Sequence, residues 1–206
     1  MIRLLLAFAV ATFLVPSTPQ ASTLLDNLGT AGSNGTRFGV GLGTNFPKFA
    51  GWSMPGPSYE LHSVQLQLSE VTSETTPLVR LLEGSSSASG TLMATLTNPV
   101  FTTDGLYDFI PASTTVLSAG STYWLSVSAS SIDAPLFQWD AGSTDPTGLL
   151  TFKGYFLGPS ESSFSNVFAV NGKPVSAIPL PAAGWLLLGG LGLMATFSLR
   201  RRKAAA

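Results

Sequence analysis

His62 is the single histidine of the 206-residue chain, and any catalytic relay of the Ser-His-acid kind would have to run through it. Such a relay needs an imidazole that titrates near neutrality and takes the proton of a nucleophilic hydroxyl. No Gly-x-Ser-x-Gly elbow accompanies it. His62 lies instead in a run of alternating residues, which makes it an exposed strand residue before a general base. Glycoside cleavage would need two carboxylates about 5 to 10 Å apart. The candidates Glu60, Glu70, Glu74, Glu83, Asp104, Asp108, Asp133, Asp140, Asp145 and Glu161 are scattered along the chain and single out no pair. Cysteine is absent, which removes thiol nucleophiles and thiolate-held zinc or clusters. The expectation is a protein that is not an enzyme and carries no cofactor.

Binding chemistry has two sources. Asp140 and Asp145 flank Gly142-Ser143-Thr144. Loop carboxylates of this kind can hold calcium through hard oxygen ligands, but without EF-hand spacing their ordinary role is as loop acids, so no metal is assigned. Trp52, Trp124 and Trp139 fall in or beside strand-like segments. An exposed indole can stack on a sugar ring, while the competing role is burial. On its strand Trp124 shares a face with Ser126, Ser128 and Ser130, the face expected to meet solvent. Gly39, Gly41 and Gly43 fail the Gly-x-Gly-x-x-Gly spacing because Phe46 takes the last place. Asn34-Gly35-Thr36 matches a glycosylation sequon and otherwise reads as a turn.

The elements that would position these residues are strands. Val64, Leu66 and Leu68 alternate with Gln65, Gln67 and Ser69, and Tyr123, Leu125, Val127 and Ala129 alternate with Trp124, Ser126 and Ser128. Tyr59 and Leu61 are one residue out of step with Val64, which predicts a bulge near His62 and Ser63. Further strands are expected at 36–41, 48–53, 78–83, 91–96, 106–110, 136–139, 150–157 and 163–170, separated by Gly, Pro, Asn and Ser turns. No helical period interrupts them. The fold class is all-β, a single β-sandwich or jelly roll over 22–170, with a barrel sharing the same pattern. No repeat of fixed period points to a solenoid or propeller.

Charge narrows the partners. Arg37, Lys48, Arg80, Lys153 and Lys173 face the eleven acidic residues of the chain, a net of −6 over this region, which repels phosphate backbones and excludes a nucleic-acid role.

Both ends read as sorting signals. Arg3, an apolar stretch over 4–15 and a Pro-containing segment ending at Ala21 have the layout of a signal peptide over 1–21, cleaved after Ala21 by signal peptidase following Sec export. Pro19 stands where a small residue would suit the peptidase better, and an uncleaved anchor is the alternative. Near the other end, 182–199 is a run of 18 uncharged residues, long enough as a helix to span about 27 Å of lipid. Arg200, Arg201, Arg202 and Lys203 follow it as a membrane stop that stays cytoplasmic. Residues 171–177 lack alternation and bulk and read as a mobile linker.

The tail from Ile178 through Pro179, Leu180, Pro181, Ala182, Ala183, Gly184 and Trp185, with its Gly-rich apolar run and arginine cluster, resembles the PEP-CTERM class of bacterial sorting signals, in a variant with Pro-Leu-Pro-Ala in place of Pro-Glu-Pro. That resemblance implies processing by an exosortase-like membrane transpeptidase near Pro179–Pro181, a Gram-negative host that makes exopolysaccharide, and a destination at the cell surface or in the biofilm matrix. Leu180 departs from the Glu of the type motif and leaves the exosortase variant open. Leu180-Pro181-Ala182-Ala183-Gly184 also approximates the sortase pattern, lacking its Thr. Between the signals, Leu24-Leu25-Asp26-Asn27-Leu28-Gly29, the stretch 61–69, Gly90-Thr91-Leu92 and the stretch 117–125 resemble choice-of-anchor domains of type R, which implies an exposed module with no catalytic motif to transfer. A carbohydrate-binding module held by a permanent span, and a secreted glycosidase or lyase, are the alternative functions.

Overall fold

The alternation read from the sequence sets the centre of the molecule. In the computed structural model, which describes residues 20–40, 46–87, 90–157, 160–163 and 165–175, Val64, Leu66 and Leu68 are fully buried on the longest strand. The described residues form fourteen strands: β1 (Ser22–Asp26), β2 (Ala31–Phe38), β3 (Lys48–Ser53), β4 (Tyr59–Ser69), β5 (Pro77–Glu83), β6 (Thr91–Thr97), β7 (Gly105–Pro111), β8 (Val116–Leu117), β9 (Thr122–Ala129), β10 (Phe137–Gly142), β11 (Thr147–Gly148), β12 (Thr151–Leu157), β13 (Ser160–Ser162) and β14 (Phe168–Pro174). A single 3₁₀ turn, Leu28–Thr30, is the only helical element among them.

All pairings are antiparallel, and the path runs β11-β1-β14-β4-β7-β6-β5-β9-β3-β12-β13, with β10 pairing β2 and β4, and β8 pairing β4. The link between β6 and β7 is short, two residue pairs from Leu96↔Pro111 to Thr97↔Ile110, and there the sheet curls back over itself. The two halves share one core. Trp52 on β3 lies 6.2 Å from Phe168 on β14, and Tyr155 on β12 meets the same ring edge-on at 6.4 Å.

The expected bulge is present. On β14, Asn171 pairs with Ser63 and Gly172 with Leu61, so His62 is the extra residue of β4. The offset lets Leu61, Ser63 and Val64 all be buried while His62 points to solvent. It also resets the alternation so that Tyr59 and Leu61 join the same core as Val64.

Other expectations need correction. Asn171–Pro174, read as linker, belongs to β14 and pairs with Ser63, Leu61, Glu60 and Tyr59 of β4. Its polar residues and Gly172 hide the strand from any pattern of alternating bulk, and at Gly172 an added Cβ would come within 2.7 Å of a Leu24 methyl, which would have to shift. The strand expected at 163–170 accordingly begins at Phe168. Asn34-Gly35-Thr36 is strand rather than turn, inside β2. The strands β1, β8, β11 and β13 are additional to those expected.

No helix among the described residues is long and apolar enough to cross a membrane. The expected signal peptide up to residue 19, the motif Pro179, Leu180, Pro181 and Ala182, the span 182–199 and the stop Arg200, Arg201, Arg202 and Lys203 lie outside the described residues.

Candidate functional site

The chemistry gathers at the end of the sheet made by β3, β12 and β13. Lys48 opens β3 and pairs with Val127 of β9 on one side and Leu157 of β12 on the other, while Tyr155 of β12 pairs with Ser162 of β13. Directly paired residues point the same way, so the lysine enters on the core face beside Val127 and Tyr155. Its side chain is 1% exposed. The ammonium lies 5.4 Å from the centre of the Tyr155 ring and 2.6 Å from the Ser162 hydroxyl oxygen. Burial disfavours the charged form and brings the Lys48 pKa down to about 8.

Tyr155 is buried beneath it and donates its phenolic hydrogen to the Asn166 carbonyl at 2.8 Å. Burial raises the phenol above its usual range; the Asn166 bond opposes this, and the negative charge of Asp145 adds to it. Asn166 itself ties three elements together. Its amide donates to the Trp139 carbonyl at 2.7 Å and its side-chain oxygen accepts from Thr36 at 3.2 Å. Asn27 does the same one layer away, accepting from the Phe168 amide at 2.9 Å and donating to the Asn166 carbonyl at 3.1 Å. These buried amides hold the Asn166 backbone fixed under Tyr155.

Two clefts open here and share Glu161, Ser162 and Ser163. The larger, of about 590 Å³, is walled by Phe46 and Leu157 and is mainly apolar. The smaller, of about 380 Å³, is polar and walled by Asp145, Lys153 and Ser165 with Phe152 beside them. Ser162 stands at their junction, half-buried, with Lys48 behind it.

Most residues singled out from the sequence lie elsewhere. Trp52 and Trp139 are fully buried and Trp124 is 4% exposed, so none is available to stack on a sugar. The solvent face expected for Trp124 is covered: its ring meets Phe156 edge-on at 5.3 Å, its indole N–H donates to the Gly84 carbonyl at 3.0 Å, and Ser126 and Ser128 beside it are buried. The Trp139 indole donates to the Val167 carbonyl at 2.8 Å. Asp140 and Asp145 enter separate networks. Asp140 is buried and accepts from Ser69 and from Gln138, the latter at 3.1 Å, whereas Asp145 lines the polar cleft and accepts from Ser165 at 3.2 Å. No group of three or more potential metal ligands occurs among the described residues. His62 is exposed on the bulge and lines neither cleft. Of the scattered acids, Asp145 and Glu161 come to share the polar cleft.

Lys48 and Ser162 were not singled out by sequence. They are 114 residues apart, and Lys48 reads as an ordinary strand-leading cation. The one available signal is a lysine heading the run Lys48-Phe49-Ala50-Gly51-Trp52, whose other members are small or apolar. No family model, curated protein or solved structure matches the chain.

Proposed function

We propose that the chain is an exported surface or extracellular-matrix protein whose all-β body, a jelly-roll-like β-sandwich in finer description, is delivered through a PEP-CTERM-like tail. The supporting observation is the order of parts. An all-β body pairs its last strand as far as Pro174, the Pro179-Leu180-Pro181-Ala182 motif begins five residues later, and the apolar run and arginine stop follow the motif directly. Signal peptidase and the Sec machinery would act on the first segment. Membrane lipid and an exosortase-like transpeptidase would act on the last. The body then presents a surface at the cell exterior, in contact with exopolysaccharide, and the reading asks no catalysis of it. Mass spectrometry of the mature protein tests the scheme. The expected C-terminus lies near Pro181, and recovery of the stretch 185–203 on the mature protein would replace processing by a permanent single-span anchor.

A second reading, carbohydrate binding, moves away from the tryptophans to the polar cleft. Carboxylates, a lysine and serine hydroxyls beside the Phe152 ring are the groups that hydrogen-bond sugar hydroxyls and cover a sugar face. A glycan array probed with the chain tests it, and loss of binding in Glu161→Ala is the expected outcome. Absence of binding to any polysaccharide would remove it.

A further inference from the structure

We infer that Ser162 and Lys48 form a nucleophile and base pair that cleaves an ester of a short apolar acid with a polar alcohol, seated across the two joined clefts. The inference goes beyond the sorting scheme and does not depend on it. Three independent observations converge on it. The Lys48 nitrogen is 2.6 Å from the Ser162 oxygen, a separation that serves equally for lysine donating to serine and for serine donating to a neutral amine. Ser162 lies at the junction of both clefts, where a substrate can reach its hydroxyl, while Lys48 is 1% exposed and shielded from competing water. The two clefts differ in character, with Phe46 and Leu157 on one side of Ser162 and Asp145, Lys153 and Ser165 on the other.

An ordinary lysine is a poor base at neutral pH because it is already protonated. Burial changes that: with its pKa at about 8, roughly a tenth of Lys48 is neutral at pH 7 and half at pH 8. In the neutral form the amine takes the Ser162 proton as the hydroxyl oxygen bonds to the ester carbonyl carbon. The tetrahedral adduct collapses, the bond to the alcohol oxygen breaks, and the ammonium returns its proton to that oxygen. Water then attacks the acyl-serine, gives its proton to Lys48, and releases the acid as Ser162 recovers its hydrogen. The apolar cleft would hold the acyl group and the polar cleft the alcohol.

Around Lys48 the described residues bring the following titratable groups. From β12, Tyr155 lies under the ammonium and Lys153 lines the polar cleft; from β13, Glu161 lies at the shared wall. Asp145 reaches the polar cleft from the segment between β10 and β11, and β9 brings no charged group, its one titratable residue being the buried Tyr123. Burial is the cause of the shift at Lys48.

The full chain, purified in detergent, is treated with a fluorophosphonate, which labels activated serines, and assayed with p-nitrophenyl butyrate. The expected result is labelling at Ser162 that rises with pH and levels off above about pH 8. Ester turnover should follow the same curve and vanish in Ser162→Ala. In Lys48→Met and Lys48→Arg the labelling should fall by about 100-fold, the arginine variant because it keeps the charge and cannot take a proton. Labelling of Ser162 no faster than that of other exposed serines, labelling independent of pH, or turnover that survives Ser162→Ala would each overturn the inference. If the Lys48 variants fail to fold, the pH profile of the unmodified chain and the Ser162→Ala comparison decide it.

Discussion

Gly51 and Trp124 face each other across β3 and β9, and the indole lies over the glycine so closely that a Cβ on Gly51 would come within 2.3 Å of the ring. The missing side chain is the space the tryptophan occupies. Phe156 meets the ring edge-on and the Gly84 carbonyl fixes its N–H. An aromatic laid over a cross-strand glycine repairs the packing that glycine costs a strand. It also explains why this sheet face is buried where alternating serines suggested water.

The Gly51→Ala variant is therefore expected to lose stability rather than gain it, although alanine is the better residue for most strands. The methyl group must displace a ring held on two sides, an overpacking cost of about 1 to 3 kcal/mol. Trp124→Ala opens the opposite defect, a void of ring size worth about 3 to 5 kcal/mol. In the double variant the clash has no partner, so its loss should be smaller than the sum of the two singles. Denaturant titration of the four proteins checks this. Additive losses would show that the contact does not couple the pair.

Two buried tryptophans permit a cleaner comparison. Trp139 donates to the Val167 carbonyl, whereas the Trp52 indole nitrogen is buried with no hydrogen-bond partner among the described residues. Replacement by phenylalanine removes a similar volume at each site. At 139 it also strips a hydrogen bond, and at 52 it removes an unsatisfied donor, terms of opposite sign of about 1 to 3 kcal/mol each. Trp52→Phe is therefore expected to cost less than Trp139→Phe, by at least about 2 kcal/mol. Equal losses in chemical denaturation would mean that the Trp52 nitrogen is satisfied in solution. Neither variant should alter glycan binding, because neither ring reaches the surface.

How much of this could be read from the chain depends on what carries the signal. Alternation located the strand through Val64, Leu66 and Leu68 and the slip at His62, because a two-residue period records which face is buried. The same rule misplaced Trp124, since it identifies the core face and is silent on whether the other face is covered. It also missed Asn171–Pro174, whose strand character comes from the hydrogen bonds of β4 and not from its own side chains. The Lys48–Ser162 contact was beyond reach for another reason. It depends on β13 pairing with β12 so that Ser162 falls opposite Tyr155, a register that no local pattern encodes.

The buried lysine makes stability itself depend on pH. Lys48 has a pKa of about 8 in the folded chain, against 10.5 for the unperturbed side chain. Between these values the unfolded chain binds more protons than the folded one, so stability rises with pH from about 8 to about 10.5. Below pH 8 both states are protonated and the full cost of burying the charge is present; above 10.5 it is gone. The span is on the order of 3 kcal/mol. Lys48→Met keeps the length of the side chain and removes the charge, and Ser162, which loses its bond to Lys48, is a half-buried residue at the wall of the clefts. The variant is expected to be more stable than the parent at pH 7, by about 1 to 3 kcal/mol, with the advantage shrinking as pH climbs towards 10.5. Urea unfolding of both proteins from pH 6 to 10.5 measures the difference. A constant gap between the two curves would show that Lys48 stays charged in the fold, and would remove at the same time the neutral amine that the Ser162 chemistry requires.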